Sequence, residues 1–554
     1  MLRSALYRDL AIFLVILAAP PLQAADEADI GNRIIDTLES WRGGGQSVMI
    51  AAPVVGAFYA SRGYRPAWSD GRNRDDMIAS IRGAAAAGLN PDEYHLRDIE
   101  RLVKGDGSAA VQAELDILLT DALFVLGYHY RFGKVDPESV NPHWNIPNRF
   151  GEEDPVALVS SALDRHAVPE LLAQLEPEHN FYQRLKTALA DYRSLQLAGG
   201  WPEIPEGETL RLGADDSRVV LLRRRLLLTR DLQQGAADSS VFDADVDRAV
   251  RVFQYRMGLS DDGVVGKDTL EALNVPVETR IEQIRINLER ARWILHDLDA
   301  HAVVVNVAGF MAYVTEGEEV IWMTRVQVGK PYHMTPLFRD EVSYIEINPT
   351  WTVPYSISSK ELLPKIKKDP NYLADRNMIV LDRNGNQVDA AGIDWNSLSA
   401  NRFPYTLRQQ PGPDNALGRI KFMFPNEHAV YLHDTPSKSL FERDYRVFSH
   451  GCIRVQNPYL LAQILLDDNE KWSVEKIEAA VDSRVTQRIV LDRKIPIYLT
   501  YWTAAVDDDL EVNFSRDPYN RDERVLAGLD KPFVAPERVR ERASQMSGSE
   551  SGSR

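Results

Sequence analysis

The chain has 554 residues, several times the length of an ordinary domain, so several domains with separate cores are expected. Hydrophobic residues make up 44% of the chain and charged residues 26%, which excludes a collagen-like, coiled-coil or wholly disordered protein. The net charge of −17 argues against a protein that binds nucleic acid through its phosphates, and the single cysteine excludes an internal disulfide and any cysteine-rich metal site.

Residues 1–24 have the pattern of a secretory signal peptide. Arg3 and Arg8 precede an unbroken apolar run over 10–19, and small residues follow at Ala24 and Ala25. The run is shorter than the roughly 20 apolar residues that span a bilayer. We therefore predict export with cleavage near Ala24 and Ala25, and an uncleaved membrane anchor is the alternative.

Residues 25–205 are predicted to form an α-helical scaffold domain. Apolar residues recur at intervals of three and four, most clearly over 113–126, and this is the period of an amphipathic helix. A stretch rich in glycine and proline over 199–207 is typical of a turn or linker. We place a domain boundary there.

Residues 206–276 are predicted to form a compact unit of three short helices, the second of which is capped by Asp243. The basic run Arg223–Arg225 is interpreted as a solvated helix face. The unit resembles the peptidoglycan-binding domain family through a set of spaced pairs and single residues. These are Phe253-Gln254, Gly258-Leu259, Asp262-Gly263, Gly266 and Thr269-Leu270. Most of them are core or turn positions, so the resemblance predicts the fold of the unit more directly than glycan binding.

A connecting helix is predicted over 277–300, and the period then changes to that of β-strands. The β-rich domain is predicted over 301–505, with strands around 302–307, 319–326, 420–424 and 429–433. The proline-rich segment 348–418 is too long for a simple connection between strands, so we interpret it as an inserted cap or lid. Residues 506–554 are predicted to be a C-terminal extension ending in a disordered tail. The fold class is multidomain α+β.

The chemistry-bearing residues cluster in two short segments of the β-rich domain. Strand alternation places Tyr431 and His433 on one face and Val430 and Leu432 on the other. The only cysteine, Cys452, is the candidate nucleophile, because an unpaired thiol in an exported protein is a liability unless it is buried or used.

Two histidines compete as the base for Cys452. His450 is close in sequence, but His433 belongs to another strand and can be aimed independently, so we favour His433. The N–H groups of Gly451 and Cys452 are candidate oxyanion donors. A buried structural cysteine and a zinc site made by His433, His450 and Cys452 are the alternatives, and the zinc site is disfavoured because no further ligand cluster is evident.

The spacing of these residues resembles the signature of the L,D-transpeptidases with a YkuD-type catalytic domain. His433 is followed by Ser449-His450-Gly451-Cys452 and then by Asn457, which with Pro458 is also expected to cap the next helix. Further segments resemble the large Gram-negative, YcbB-like members. These segments are 347–354, 410–413, 415–418 and 421–426. With the upstream helical and peptidoglycan-binding units, the resemblance spans nearly the whole mature chain.

The resemblance implies that Cys452 is the nucleophile and that His433 is the base, oriented by the backbone carbonyl of Asp434, while His450 lines the site. The implied donor is a peptidoglycan tetrapeptide stem, which loses D-alanine, forms a Cys452 thioester and gives a 3→3 cross-link. No metal and no organic cofactor are implied, and inactivation by carbapenem-type β-lactams and a periplasmic location are expected. Ser449, Arg454 and Tyr431 are candidate substrate-binding residues, and a structural salt bridge is the alternative for Arg454.

Three other functions remain open at the level of the sequence. Water in place of the acceptor amine would make the protein an L,D-carboxypeptidase. A protein partner would make it an enzyme that attaches proteins to the wall or releases them. A protein without turnover would be a peptidoglycan-binding scaffold, although the complete set of motif residues argues against this.

Overall fold

The protein is described here by a computed structural model, which covers residues 26–42, 49–147, 154–233 and 238–535. The predicted signal peptide at 1–24 and the predicted disordered tail at 547–554 lie outside the described residues. Within the described ranges, no helix has the length and apolar character needed to cross a membrane.

The N-terminal region is built around one long, buried helix. Ser108 caps the start of this helix by accepting a hydrogen bond from the Val111 N–H, and the predicted apolar spacing over 113–126 lies within it. The helices of the region are α1 (Glu27–Arg42), α2 (Ala52–Ser61), α3 (Gly71–Gly83), α4 (Leu96–Val103), α5 (Ala109–Phe132), α6 (Pro137–Val140), α7 (Pro155–Asp164), α8 (Val168–Leu175) and α9 (Asn180–Leu197).

The next unit contains α10 (Arg218–Leu228), α11 (Ala244–Arg256) and α12 (Lys267–Leu273). Asp243 caps α11 as predicted, since its carboxylate accepts from the N–H groups of Asp245 and Val246. The buried Gln254 amide holds the following turn, because it donates to Asp262 Oδ1 and accepts from the Gly263 N–H. The motif residues of this unit therefore have a structural role in its turn.

The prediction that Arg223–Arg225 form a solvated face is wrong for two of the three residues, because Arg223 and Arg225 are buried. Arg223 donates to Asp243 Oδ2 at 2.6 Å. The guanidinium of Arg225 lies 3.8 Å from the ring centroid of Trp201, a residue that precedes the unit. Residues from other segments cover these arginines. The apolar spacing within α10 alone does not indicate these contacts.

A single helix, α13 (Val277–Ile294), leads into the β-rich region, where the prediction placed it at 277–300. The first strands are β1 (His301–Asn306), β2 (Met311–Glu316), β3 (Glu319–Gly329) and β4 (Arg339–Ile347). Buried and more exposed side chains alternate along β2 and in the middle of β3, as expected when one face packs on a core.

A small subdomain with its own hydrophobic cluster follows β4. Its sheet has the order β5-β8-β6-β7, and a π-helical turn over Ser358–Leu362 joins its first two helices. The elements are β5 (Trp351–Thr352), α14 (Tyr355–Ile357), α15 (Leu363–Lys368), α16 (Tyr372–Asp375), β6 (Met378–Leu381), β7 (Gln387–Val388) and β8 (Thr406–Gln409).

The chain then returns to the larger sheet. Its remaining elements are β9 (Ile420–Met423), β10 (Leu432–His433), β11 (Val447–Ser449), β12 (Ile453–Val455), α17 (Pro458–Leu466), α18 (Val474–Asp482) and β13 (Gln487–Thr500). The strand order is β11-β3-β12-β10-β9-β4-β13-β1-β2, and β2 also pairs with β3, so the sheet closes on itself around a second hydrophobic core.

The last described elements are β14 (Ala504–Val506), β15 (Val512–Phe514) and α19 (Asp522–Asp530). Phe514 and Leu529 join the same core cluster as the N-terminal helices and α13, and Arg256 of α11 donates to the Val512 carbonyl. The C-terminal segment therefore packs on the helical part of the molecule. The multidomain α+β fold class is confirmed.

Candidate active site

The register of two neighbouring strands determines the arrangement of the candidate residues. β10 and β12 run parallel, with Leu432 opposite Ile453 and His433 opposite Arg454. Because side chains alternate along a strand, Cys452 leaves the sheet on the same face as His433 and Arg454. Leu432 and Ile453 point the other way into the core, which confirms the predicted alternation.

Cys452 follows a tight turn that only glycines can make. Gly451 has φ of +115°, and a Cβ on the neighbouring Gly329 would lie 3.1 Å from the Gly451 Cα. The Cys452 side chain is half-buried, and its Sγ lies 3.8 Å from the Ala429 carbonyl oxygen. The alternative of a cysteine sealed in the core therefore does not describe this residue.

The hydrogen bonds of this turn correct two predicted roles. The Gly451 N–H donates to Ser449 Oγ at 3.0 Å, and Ser449 Oγ donates to the Cys452 carbonyl at 2.5 Å. The Gly451 N–H is thus already used, so the Cys452 N–H is the remaining candidate oxyanion donor of the predicted pair. Ser449 is 2% exposed and supports the turn from within, so a substrate contact of its side chain is not supported.

His433 is buried and held in one tautomer by the main chain. Its Nδ1 lies 2.5 Å from the carbonyl oxygen of Asp434. A carbonyl can only accept, so the contact with Asp434 places the proton on Nδ1 and leaves Nε2 as the nitrogen that can act as a base. Burial lowers the pKa of His433 to about 3, with the nearby Arg454 charge as the second cause, so the imidazole is neutral at pH 7.

The Asp434 carbonyl is held in place by its own side chain. The carboxylate accepts from the Arg419 N–H at 2.8 Å and from Lys438 Nζ at 2.5 Å. A Cβ on Gly418, which has φ of +62°, would lie 2.4 Å from this carboxylate. Glycine at this position therefore allows the close approach that orients the carbonyl towards His433.

The electrostatic environment keeps Cys452 protonated at neutral pH. Burial raises the pKa of the thiol, while hydrogen bonds from Tyr431 and the charges of Lys421 and Arg454 oppose this rise. The resting pair is therefore a neutral thiol and a neutral imidazole. A base that takes the proton as sulfur attacks is required.

Charged side chains flank this pair along the same face of the sheet. Strand pairing places Lys421 opposite both His433 and Glu346, and Lys421 Nζ lies 3.8 Å from Glu346 Oε2. Lys421 Nζ also lies 4.1 Å from the ring centroid of Tyr431. The sequence analysis assigned no role to Lys421 or Glu346, although the alternation of Lys421 with Ile420 and Phe422 places it on the polar face.

Arg454 lies on this face without a carboxylate partner among the described residues. It donates to Gln327 Oε1 at 3.2 Å, and its Nε is buried with no hydrogen-bond partner. The alternative of a structural salt bridge therefore has no support among the described residues. A buried, incompletely paired guanidinium is suited to bind an anionic group of a ligand.

His450 and Asn457 lie close to Cys452 in sequence but contact other partners. His450 Nε2 is 2.8 Å from Glu361 Oε1 of the small subdomain, and its ring stacks on His333. His433, His450 and Cys452 are not among the described groups that bring three ligand atoms within 4.8 Å of each other. Asn457 occupies the predicted N-cap position of α17, but its side chain donates to Thr324 Oγ1 and makes no cap hydrogen bond.

Three segments of the chain match known families. Residues 53–189 match the scaffold domain, residues 215–273 the "putative peptidoglycan binding domain", and residues 300–469 the L,D-transpeptidase catalytic domain, YkuD. The last segment contains both His433 and Cys452.

One relative is similar over more than a single domain. A "Putative L,D-transpeptidase" of Haemophilus influenzae is 27% identical over 488 residues, which is 87% of this chain and 81% of that protein. An L,D-transpeptidase structure from Stackebrandtia nassauensis shares 14% identity at a TM-score of 0.21, covering 54% of this chain and 96% of its own. One from Xylanimonas cellulosilytica shares 14% identity at a TM-score of 0.17, covering 53% and 99%.

Proposed function

We propose that this protein, in which residues 300–469 form a YkuD-type L,D-transpeptidase catalytic domain and residues 215–273 a peptidoglycan-binding domain, is a periplasmic enzyme that forms 3→3 cross-links between peptidoglycan stems. One observation carries the proposal. Cys452 and His433 leave the same face of two adjacent parallel strands, and the Asp434 carbonyl fixes the tautomer in which His433 Nε2 accepts a proton.

The first half-reaction acylates the cysteine. His433 Nε2 takes the thiol proton of Cys452 as the sulfur attacks the carbonyl carbon of the diamino acid at position three of a tetrapeptide stem. The oxyanion accepts a hydrogen bond from the Cys452 N–H. The C–N bond then breaks, His433 returns its proton to the amine of the leaving D-alanine, and a thioester remains on Cys452.

The second half-reaction transfers the acyl group. The side-chain amine of a neighbouring stem attacks the thioester carbonyl, and His433 accepts the proton that this amine loses. The carbon–sulfur bond breaks, the proton passes to the sulfur, and an amide joins the two stems. Arg454 binds a stem carboxylate, since its guanidinium lies on the reactive face with an unpaired Nε.

The test uses the chain without its signal peptide and a disaccharide-tetrapeptide, with products identified by mass spectrometry. We expect a cross-linked dimer and one released D-alanine for each bond formed. The matched control is Cys452→Ala, which removes the only thiol of the chain and must abolish all turnover.

Other product patterns would replace the proposal by one of the alternatives. Tripeptide and D-alanine without dimer would identify an L,D-carboxypeptidase, and transfer to a protein amine only would identify a wall-protein ligase. Retained sacculus binding without turnover would identify a scaffold. A carbapenem gives an independent check, because we expect its mass to add to the wild type and not to Cys452→Ala.

A further inference from the structure

A second cluster of chemistry-bearing residues lies outside the catalytic pair. The ligand atoms of His143, Glu427 and His428 all lie within 4.8 Å of each other. His143 belongs to the segment after α6 of the helical region, whereas Glu427 and His428 precede β10 of the catalytic domain. The two imidazole rings have centroids 4.6 Å apart. The cluster therefore joins two regions that are far apart in sequence.

The segment that carries His143 is held against the catalytic domain. Asn145 donates to the Arg339 carbonyl at 2.9 Å and accepts from the Arg339 N–H at 2.7 Å. Asn141 accepts from Arg521 at 2.5 Å, and the ring of Trp144 packs edge-on against Trp293. His143 is thus flanked by fixed residues on both sides, and its position does not depend on the other two members of the cluster.

The loop that carries Glu427 and His428 is equally constrained. The Asn426 side chain accepts from the N–H groups of His428 and Val430 and donates to the Val430 carbonyl. The ring of Phe338 lies 5.0 Å from the ring of His428. The side chain of Asn426 therefore closes the loop that carries Glu427 and His428 before any ion binds.

Two imidazoles and one carboxylate form a ligand set that is intermediate between hard and soft. Such a set suits Zn²⁺, which takes nitrogen and oxygen ligands at about 2.0–2.2 Å and accepts water in a fourth position. Glu427 Oε1 lies 3.7 Å from His428 Nε2, and the rings of His143 and His428 meet edge to face.

We propose that His143, Glu427 and His428 form a binding site for a divalent transition-metal cation, with Zn²⁺ as its fitting occupant. The ion clamps the helical region to the catalytic-domain loop. The residue after His428 is Ala429, which has φ of +52° and whose carbonyl faces the Cys452 sulfur. A metal bound here therefore also fixes the loop that contacts the reactive thiol. The site does not depend on which acceptor the enzyme uses.

The direct test is calorimetric titration of Zn²⁺ into the mature chain without an affinity tag. The protein carries Cys452→Ala, so that the thiol cannot bind the ion. We expect one equivalent to bind, and we expect His143→Ala and Glu427→Gln each to weaken binding at least tenfold. His301→Ala is the matched control, because His301 lies on β1 near Glu316 and away from the cluster.

A second measurement tests whether the bound ion stabilises the contact between the helical region and the loop. Zn²⁺ should raise the thermal midpoint of the tag-free protein and should fail to do so in Glu427→Gln, whose circular dichroism reports on folding without the ion. Absorption bands of Co²⁺ should appear in the Cys452→Ala protein and disappear when Glu427→Gln is added to it. Absence of Zn²⁺ binding, or equal affinity in His143→Ala and the control, would overturn the proposal, whether or not the protein is a transpeptidase.

Discussion

Two regions of this molecule bury polar groups for different ends. In the helical region, buried Asp116 accepts from the Tyr59 hydroxyl and from the N–H groups of Ala67 and Trp68. On the face of the sheet that carries Cys452, the protonated Nδ1 of His433 donates to the Asp434 carbonyl, which leaves Nε2 as the basic nitrogen, and Arg454 keeps a buried Nε without a partner. The carboxylate of Asp116 is thus fully hydrogen-bonded, whereas His433 and Arg454 each keep a nitrogen that can still interact with a ligand.

This difference indicates what each region is built to do. A buried carboxylate with several donors stabilises the packing of the segments that supply them, and removing it exposes those donors as unpaired groups. A buried base with a free lone pair contributes little to packing, but it can exchange a proton with a neighbour. A mutation of the buried carboxylate should therefore change stability, whereas a mutation of the buried base should change activity.

The largest effect is expected for His433→Gln. The amide has no basic nitrogen, so we expect kcat/KM to fall by about 10³-fold, within the range of general-base contributions. The thermal midpoint should change little. Cross-linking rates measured with a tetrapeptide donor give the result.

His450→Gln is the matched control for this variant, because His450 is held by Glu361. We expect a loss of less than tenfold. Equal losses in the two variants would show that the assignment of the base to His433 is wrong.

A large effect on stability, without one on activity, is expected for Asp116→Ala. The substitution leaves the buried N–H groups of Ala67 and Trp68 without their acceptor and removes one of the two partners of the Tyr59 hydroxyl, so the free energy of unfolding of the helical region should fall by about 3 kcal/mol or more. Urea unfolding monitored by circular dichroism measures this change. Asp75→Ala, an exposed site on α3, should stay within about 0.5 kcal/mol of the wild type. If Asp116→Ala were as stable as the wild type, the buried carboxylate would not stabilise the helical region as we infer.

A smaller effect is expected for Arg454→Met. If Arg454 binds a stem carboxylate, losing a charge-assisted hydrogen bond should raise KM by about tenfold, with a smaller change in kcat. Steady-state kinetics separate the two parameters, and the exposed Arg493→Met serves as the control. A fall in the thermal midpoint with unchanged KM would instead assign Arg454 a purely structural role.

The smallest and most specific effect concerns the pH dependence of the thiol. Because burial raises the pKa of Cys452, the rate of alkylation by iodoacetamide should still be rising at pH 8.5, where an ordinary cysteine is half ionised. His433 stays neutral down to about pH 3, so no inflection is expected near pH 6.5. The protein unfolded in urea supplies the ordinary profile. A plateau below pH 6 would indicate a preformed thiolate–imidazolium pair.

Local pattern was sufficient to predict the features that depend on neighbouring residues in the chain. The alternation around His433, the Asp243 cap and the connecting helix follow from periodicities of two or 3.6 residues, which the chain displays directly. The spacing from His433 to Cys452 also predicted a pair of residues on neighbouring strands, because one short stretch of sequence contains both strands.

Partners from distant segments could not be predicted in this way. Arg225 was placed in solvent because nothing within α10 indicates Trp201 above it. The Gly451 N–H was assigned to an oxyanion because the sequence does not show that Ser449 turns back towards it. The approach of His143 to His428 depends on how two regions dock, and neither segment alone carries a signal for it.

The orientation of His433 by a peptide carbonyl has a genetic consequence. Any amino acid at position 434 supplies the same acceptor oxygen, so an alanine scan cannot delete the third member of this site. Substitutions there can act only indirectly, by releasing the contacts to Arg419 and Lys438 that aim the oxygen. To weaken the acceptor itself, the amide linkage would have to be replaced by an ester through chemical protein synthesis. The sequence variation tolerated at position 434 is therefore a poor measure of how much the carbonyl contributes to activity.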